Sequence, residues 1–145
     1  MIEPLSDPLN PGTPSLLAGH VVIVIDDDTA LLSLMGTYLR RSGAIVHVAA
    51  NGHDAWTLLA SLQAAATPVH AVLCDLRMQG GSGMELYRRV NAELPAIAPR
   101  MIFSSGDIDS DDVRSFIETT GIHVLAKPYP LAELRRMLAE LAPSA

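Results

Sequence analysis

Ala71-Val72-Leu73-Cys74-Asp75-Leu76-Arg77-Met78 is the stretch on which the reading of this chain turns. A short apolar run ends in a carboxylate, and the same arrangement recurs elsewhere with different polar residues. Val21 to Ile25 runs into Asp26-Asp27-Asp28, Met101 to Phe103 leads to Ser105, and a run from residue 122 to 126 ends at Lys127-Pro128. An acidic pair, a lone acid, a hydroxyl and a cation, each at the end of an apolar run, belong to one chemistry. They point to a metal-assisted phosphoryl site built on strand ends.

The segments between these runs carry helical periodicity. Leu31, Leu34, Met35 and Tyr38 recur at helix spacing, as do Ala55, Leu58, Leu59 and Leu62. Gly43 suits the left-handed position just beyond the first of these helices. Gly80-Gly81-Ser82-Gly83 reads as a loop before a helix carrying Leu86, Val90 and Leu94. Asp109 and Ser110 are cap candidates for a helix whose inner face is Val113, Phe116 and Ile117 and which Gly121 ends. Pro130 is placed at the first position of a last helix with Leu131, Leu134, Leu138 and Leu141 as its stripe. With the short strand Ile45 to Ala49, five strands alternate strictly with five helices. Such a chain folds as an α/β three-layer sandwich, a five-stranded parallel sheet covered on both faces. Right-handed crossovers favour the flavodoxin-like (βα)5 order 2-1-3-4-5. In that order ligands bind outside the carboxyl ends of the strands where the winding reverses. Asp26, Asp27 and Asp75 converge there, with Ser105 and Lys127 reaching in from strands 4 and 5.

The 145 residues, 49% of them hydrophobic, make one globular domain. A chain of this size buries about 68% of its unfolded surface, enough for a core without staples. One cysteine excludes a disulfide framework, and a net charge of −6 argues against nucleic acid as a direct partner. No apolar run is long enough for a membrane span, and the acidic N-terminal stretch does not read as a leader, so a cytoplasmic protein is expected. Residues 1–18, broken by Pro4, Pro8, Pro11 and Pro14, are read as a flexible extension, and residues 20–141 as the domain.

The constellation resembles the receiver domain of two-component response regulators, over residues 20–141. Asp26 and Asp27 match the family's acidic pair, and Asp75 its phosphoacceptor, in a D-L-x-M context. Ser105, thirty residues on, matches the conserved Ser/Thr, and Lys127-Pro128, a further twenty-two on, the Lys-Pro pair. The stretch from Arg100 through Lys127-Pro128-Tyr129 is especially similar to receivers at the ends of hybrid histidine kinases. Gln79 stands where the family usually has Pro, which leaves the loop after Asp75 more mobile. Val124 stands where many receivers carry a Tyr or Phe rotamer switch. No effector domain is read after the last helix.

The resemblance implies phosphorylation of Asp75 rather than turnover of a substrate. Mg²⁺ would be held by Asp26, Asp27, Asp75 and the backbone carbonyl of Arg77, an all-oxygen set suited to that ion. Lys127 and the Ser105 hydroxyl would bind phosphoryl oxygens, the latter tying strand 4 to the phosphorylation state. Upstream it implies a sensor histidine kinase or a histidine phosphotransfer protein, downstream a target protein that the sequence does not name; a homodimer is a further partner to test. Asp28 reads as a cap, Cys74 as a buried small hydrophobe, and the five histidines as structural or surface groups. Arg77 and Asp107 flank the mouth, as tuners of phosphoryl lifetime or as an exposed ion pair. Three rival readings stand beside it. A haloacid-dehalogenase-like phosphatase wants Thr or Val where this chain has Ala30. An FMN-binding module would have its phosphate repelled by three aspartates. The third is a receiver that binds partners without being phosphorylated.

Overall fold

A computed structural model describes residues 6–7, 10–14, 17–78 and 82–141. The elements follow the expected alternation: β1 (Val21–Ile25), α1 (Thr29–Arg41), β2 (Ile45–Ala49), α2 (Gly52–Ala64), β3 (Ala71–Asp75), α3 (Gly83–Glu93), β4 (Met101–Ser105), α4 (Asp111–Thr120), β5 (His123–Ala126) and α5 (Leu131–Leu141). The sheet is parallel throughout, in the order β2-β1-β3-β4-β5, the flavodoxin-like arrangement expected from the sequence. Ahead of it, Ser6–Asp7 pairs antiparallel with Asn10–Pro14, apart from the main sheet. Leu17 is fully buried and its N–H donates to the Ser42 carbonyl, so the folded body reaches back into the stretch read as an extension.

Alternation along each strand divides the core in two. Val22, Val24, Leu73 and Ile102 pack under α1 and α5 with Leu39, Leu134 and Leu138. Ile23, Ile25, Cys74 and Phe103 pack under α2, α3 and α4 with Leu59, Val90 and Val113. In the second layer Tyr87, Phe103 and Phe116 meet edge-on, with ring centroids 5.7–6.3 Å apart.

Three local readings are corrected. The buried face of α1 is Leu32, Met35, Tyr38 and Leu39, whereas Leu34, placed in the inner stripe, is 57% exposed. Apolar residues at 31, 32, 34, 35, 38 and 39 satisfy two overlapping stripes, and contact with the sheet selects one of them. Gly83 begins α3 instead of ending a loop, with Ser82 as its N-cap. The last helix starts at Leu131, and the Pro130 carbonyl accepts the N–H of Leu134, so Pro130 sits one position before the helix proper. Gln79, Gly80 and Gly81 lie outside the described residues.

At the opposite end of the sheet from the acids, His70 Nδ1 accepts the Val21 N–H at 2.9 Å and its ring stacks on His20 at 5.2 Å. Burial first, then the neighbouring His70, holds His20 below its ordinary range. These are the structural histidines the sequence implied.

Candidate functional site

Backbone ladders run past the strand ends and fix the polar residues there. The Asp26 N–H donates to Ala49, Leu76 to Ser104 and Lys127 to Ser105, at 2.8–3.1 Å. These bonds hold the chain just beyond β1, β3 and β5 as firmly as the strands themselves. Each leading carboxylate is then aimed by a local bond. Asp26 Oδ1 accepts the Asp28 N–H at 2.9 Å, and Asp75 Oδ1 accepts the Arg77 N–H at 3.1 Å. The second oxygen of each faces Lys127, whose Nζ lies 3.1 Å from Asp26 Oδ2 and 3.1 Å from Asp75 Oδ2.

Asp26 and Asp75 are buried and Asp27 is exposed, yet one carboxylate oxygen from each lies within 4.8 Å of the others. Burial is the main reason the Asp75 carboxyl is pushed above its usual range, aided by the Asp26 charge and opposed by the Arg77 N–H and Lys127. Burial alone would lower Lys127, but hydrogen bonds and charge from Asp75 and Asp26 outweigh it and hold the ammonium above its ordinary value. The site is therefore a cluster of acids short of positive charge. Three hard oxygen donors converging at one mouth fit a divalent cation such as Mg²⁺.

Ser105 is almost fully buried at the end of β4. Its hydroxyl donates to Asp107 Oδ1 at 2.6 Å, and its oxygen accepts the Asp107 N–H at 3.1 Å. Arg77 crosses the rim: Nε donates to Asp107 Oδ2 at 2.6 Å, and Nη2 to Asp112 Oδ1 at 2.7 Å and Ser110 Oγ at 3.1 Å. The Ser105 hydroxyl, against the effect of burial and with the help of Arg77, holds the Asp107 carboxyl below its ordinary range; Arg77 does the same to Asp112. The flanking pair read from the sequence is thus part of a network of five side chains. The sequence marks Ser110 only as a cap candidate, and nothing in the spacing of Ser110 and Asp112 shows that a side chain from another loop reaches them.

Asp28 caps α1 through the Leu31 N–H at 3.1 Å, as expected. Burial drives the Cys74 thiol far above its ordinary range, with the charges of Asp75 and Asp26 adding to it, so this thiol is inert. Val124 is partly buried and packs against the layer under α2, α3 and α4. One further residue escaped the sequence reading. A Cβ at Gly83 would clash with the Asp75 carbonyl oxygen and sit 3.0 Å from Leu76 Cα, so only glycine lets α3 start this close to the end of β3.

A doubly wound parallel sheet with an acidic triad and a lysine at its carboxyl edge defines a class of phosphate-handling signalling modules. The chain belongs to the response regulator receiver domain family, whose model it matches over residues 22–139. It is 37% identical over 78 residues to the transcriptional regulatory protein AruR of Pseudomonas aeruginosa, covering 52% of this chain and 32% of that protein. To the hydrogenase transcriptional regulatory protein HoxA of Bradyrhizobium diazoefficiens it is 32% identical over 120 residues, 82% of this chain and 23% of that one. The chain thus spans a third or less of these curated relatives. Among solved structures, a response regulator receiver protein from Pseudomonas putida superposes with a TM-score of 0.72 at 27% identity, covering 85% of this chain and 98% of the other. The response regulator TrrA of Thermotoga maritima, solved in complex with Mg²⁺-BeF, shares the fold at 20% identity and a TM-score of 0.69, covering 84% and 98%. This is a receiver domain of two-component systems, and its acidic cluster fits the phospho-aspartate and Mg²⁺ site of such domains. No described helix is long and apolar enough to cross a membrane.

Proposed function

We propose that this receiver takes a phosphoryl group onto Asp75 from a histidine kinase or a histidine phosphotransfer protein in the cytoplasm, and signals through the loop after β4. The observation that carries the reading is Lys127 Nζ poised 3.1 Å from both Asp26 and Asp75, with Asp27 beside them. In the transfer, Asp75 Oδ2 attacks phosphorus, the P–N bond to the donor imidazole breaks, and the imidazole keeps the bonding pair and leaves. Asp26, Asp27, Asp75 and the Arg77 carbonyl would hold Mg²⁺, which when bound offsets charge between the carboxylate and the incoming dianion. Lys127 remains within reach of Asp75 and pairs with a phosphoryl oxygen. The Ser105 hydroxyl takes another, and that movement draws Gly106 to Ser110 inward; valine at 124 is stiff at χ1 and leaves this loop as the element that responds.

The donor's route is supported by the surface beside the mouth. Leu31, Leu34, Met35, Pro128, Tyr129 and Leu131 line an open apolar groove of about 420 Å³ that shares Lys127 with the acidic site. A helix carrying the phosphohistidine, seated there, would bring its imidazole to Asp75. This gives the outward-facing Leu34 of α1 a use that packing does not.

The test is incubation with Mg²⁺ and acetyl phosphate. A single phosphoryl adduct, labile to hydroxylamine and absent from Asp75→Asn, is expected. Equal labelling of Asp75→Asn would place the acceptor elsewhere. Transfer from a phosphohistidine donor, reduced by Leu34→Asp, tests the groove.

A further inference from the structure

We infer that Asp107, anchored by Arg77, is a resting-state latch that holds the Ser105 hydroxyl away from the acceptor; the inference rests on Asp75 being the phosphorylation site. Ser105 has one hydroxyl proton, and Asp107 Oδ1 takes it at 2.6 Å. A bond from a hydroxyl to an ionised carboxylate is about twice as strong as one between neutral groups. The same proton cannot serve a phosphoryl oxygen at Asp75. Ser105 must therefore leave Asp107 before it can report phosphorylation.

Asp107 is not left to itself in this competition. Its other oxygen is fixed by Arg77 Nε at 2.6 Å, and Arg77 is in turn tied to Asp112 and Ser110 at the start of α4. The Arg77 main chain donates to Asp75 Oδ1. The acceptor carboxylate, Arg77, Asp107 and Ser105 thus form one continuous chain of hydrogen bonds across two loops. The chain ends with the signalling hydroxyl turned to the rim. Gly106, between Ser105 and Asp107, has open space where a Cβ would be, so the loop can move without a steric barrier there. Releasing the latch shifts the loop equilibrium toward the position that a phosphoryl group selects, and any ligand that needs that position then binds more tightly.

The experiment uses the intact chain with Asp107→Ala, Arg77→Ala, Ser105→Ala and the Ser105→Ala/Asp107→Ala double variant. In the first arm, without ligand, hydrogen exchange of the Gly106 to Ser110 amides is expected to rise about tenfold in Asp107→Ala and Arg77→Ala, since the bonds that close this loop are gone. In the second arm, Mg²⁺ with beryllofluoride is titrated as the phosphoryl mimic. Asp107→Ala should bind it about three- to tenfold more tightly than wild type. The same substitution in the Ser105→Ala background should add nothing. Binding by Asp107→Ala that is no tighter than wild type overturns the latch. So does an equal gain in the Ser105→Ala background, which would mark the effect as removal of a nearby negative charge. If wild type takes up no beryllofluoride, it is the phosphoacceptor reading that fails. The first arm then decides the latch alone, and unchanged exchange in both variants rejects it.

Discussion

Lys127 is the residue on which the charge balance of the site depends. It sits between two buried carboxylates that would otherwise face each other without a counterion, and its own side chain is 29% exposed. Removing one member of a fully buried ion pair typically costs 3–5 kcal/mol, and screening at a partly open site reduces this. Lys127→Ala is therefore expected to lose roughly 1–3 kcal/mol in metal-free urea unfolding near neutral pH. The loss should shrink in acid, where Asp75 takes up a proton instead. An equal loss at all pH values would mean that Lys127 acts through packing of its stem alone. Asp75 itself is held in place by the Arg77 N–H, so Arg77 serves Asp75 through its main chain and the rim through its side chain.

Among the elements, α3 starts hard against the end of β3. The Gly83 N–H donates to the Leu76 carbonyl at 2.9 Å, just beyond the end of β3. The Asp75 carbonyl lies where the side chain of any other residue at 83 would begin. Gly83→Ala must push α3 away from the sheet, and overpacking of this kind costs about 1–3 kcal/mol. The expected outcome is a lower urea midpoint with an unchanged slope, together with amide shifts at Asp75 and Leu76. A variant as stable as wild type would show that the helix start can move freely. On the other side of the sheet, Arg40 Nη2 donates to the Val46 carbonyl on β2, occupying an acceptor on an edge strand that carries the exposed Ile45 and Val48.

For the whole molecule, the acid cluster couples folding to pH and, on the proposed reading, to divalent metal. The folded-state pKa of Asp75 is raised. Its protonated form is thus favoured by the fold: the contribution is fully present below the unfolded value near 4 and is lost as pH rises through the raised folded value. Asp107 and Asp112 are lowered and act in the opposite sense, contributing above the unfolded value and losing this as pH falls through the folded one. Without metal, Asp75→Asn should therefore melt higher than wild type at pH 7, and the difference should fade toward pH 4. A difference independent of pH would rule out the raised carboxyl as its source. Mg²⁺ should relieve the same repulsion at neutral pH, adding about 2.7 kcal/mol to stability at a hundredfold excess over Kd. That increment should be much smaller in Asp27→Ala. A wild-type melting temperature indifferent to millimolar Mg²⁺ would remove the metal from the site.

Much of this was legible in the chain itself. Apolar runs ending in polar groups, together with helices of 3.6-residue period, led to the parallel sheet, its order and the four strand ends of the candidate site. Those signals are local: they lie in spacings of two to four residues and in the residue that ends each run. Tertiary packing alone decided which of two overlapping stripes of α1 faces the sheet, leaving Leu34 to line a groove with Pro128 and Tyr129. It also decided that Lys127 reaches across 101 residues to Asp26, and that Arg77 binds Asp107 thirty residues away and Asp112 thirty-five away. Such pairs depend on where whole elements come to rest against one another. Residue types and local spacing can name the members of such a network, but only the packed sheet and its loops decide which of them meet.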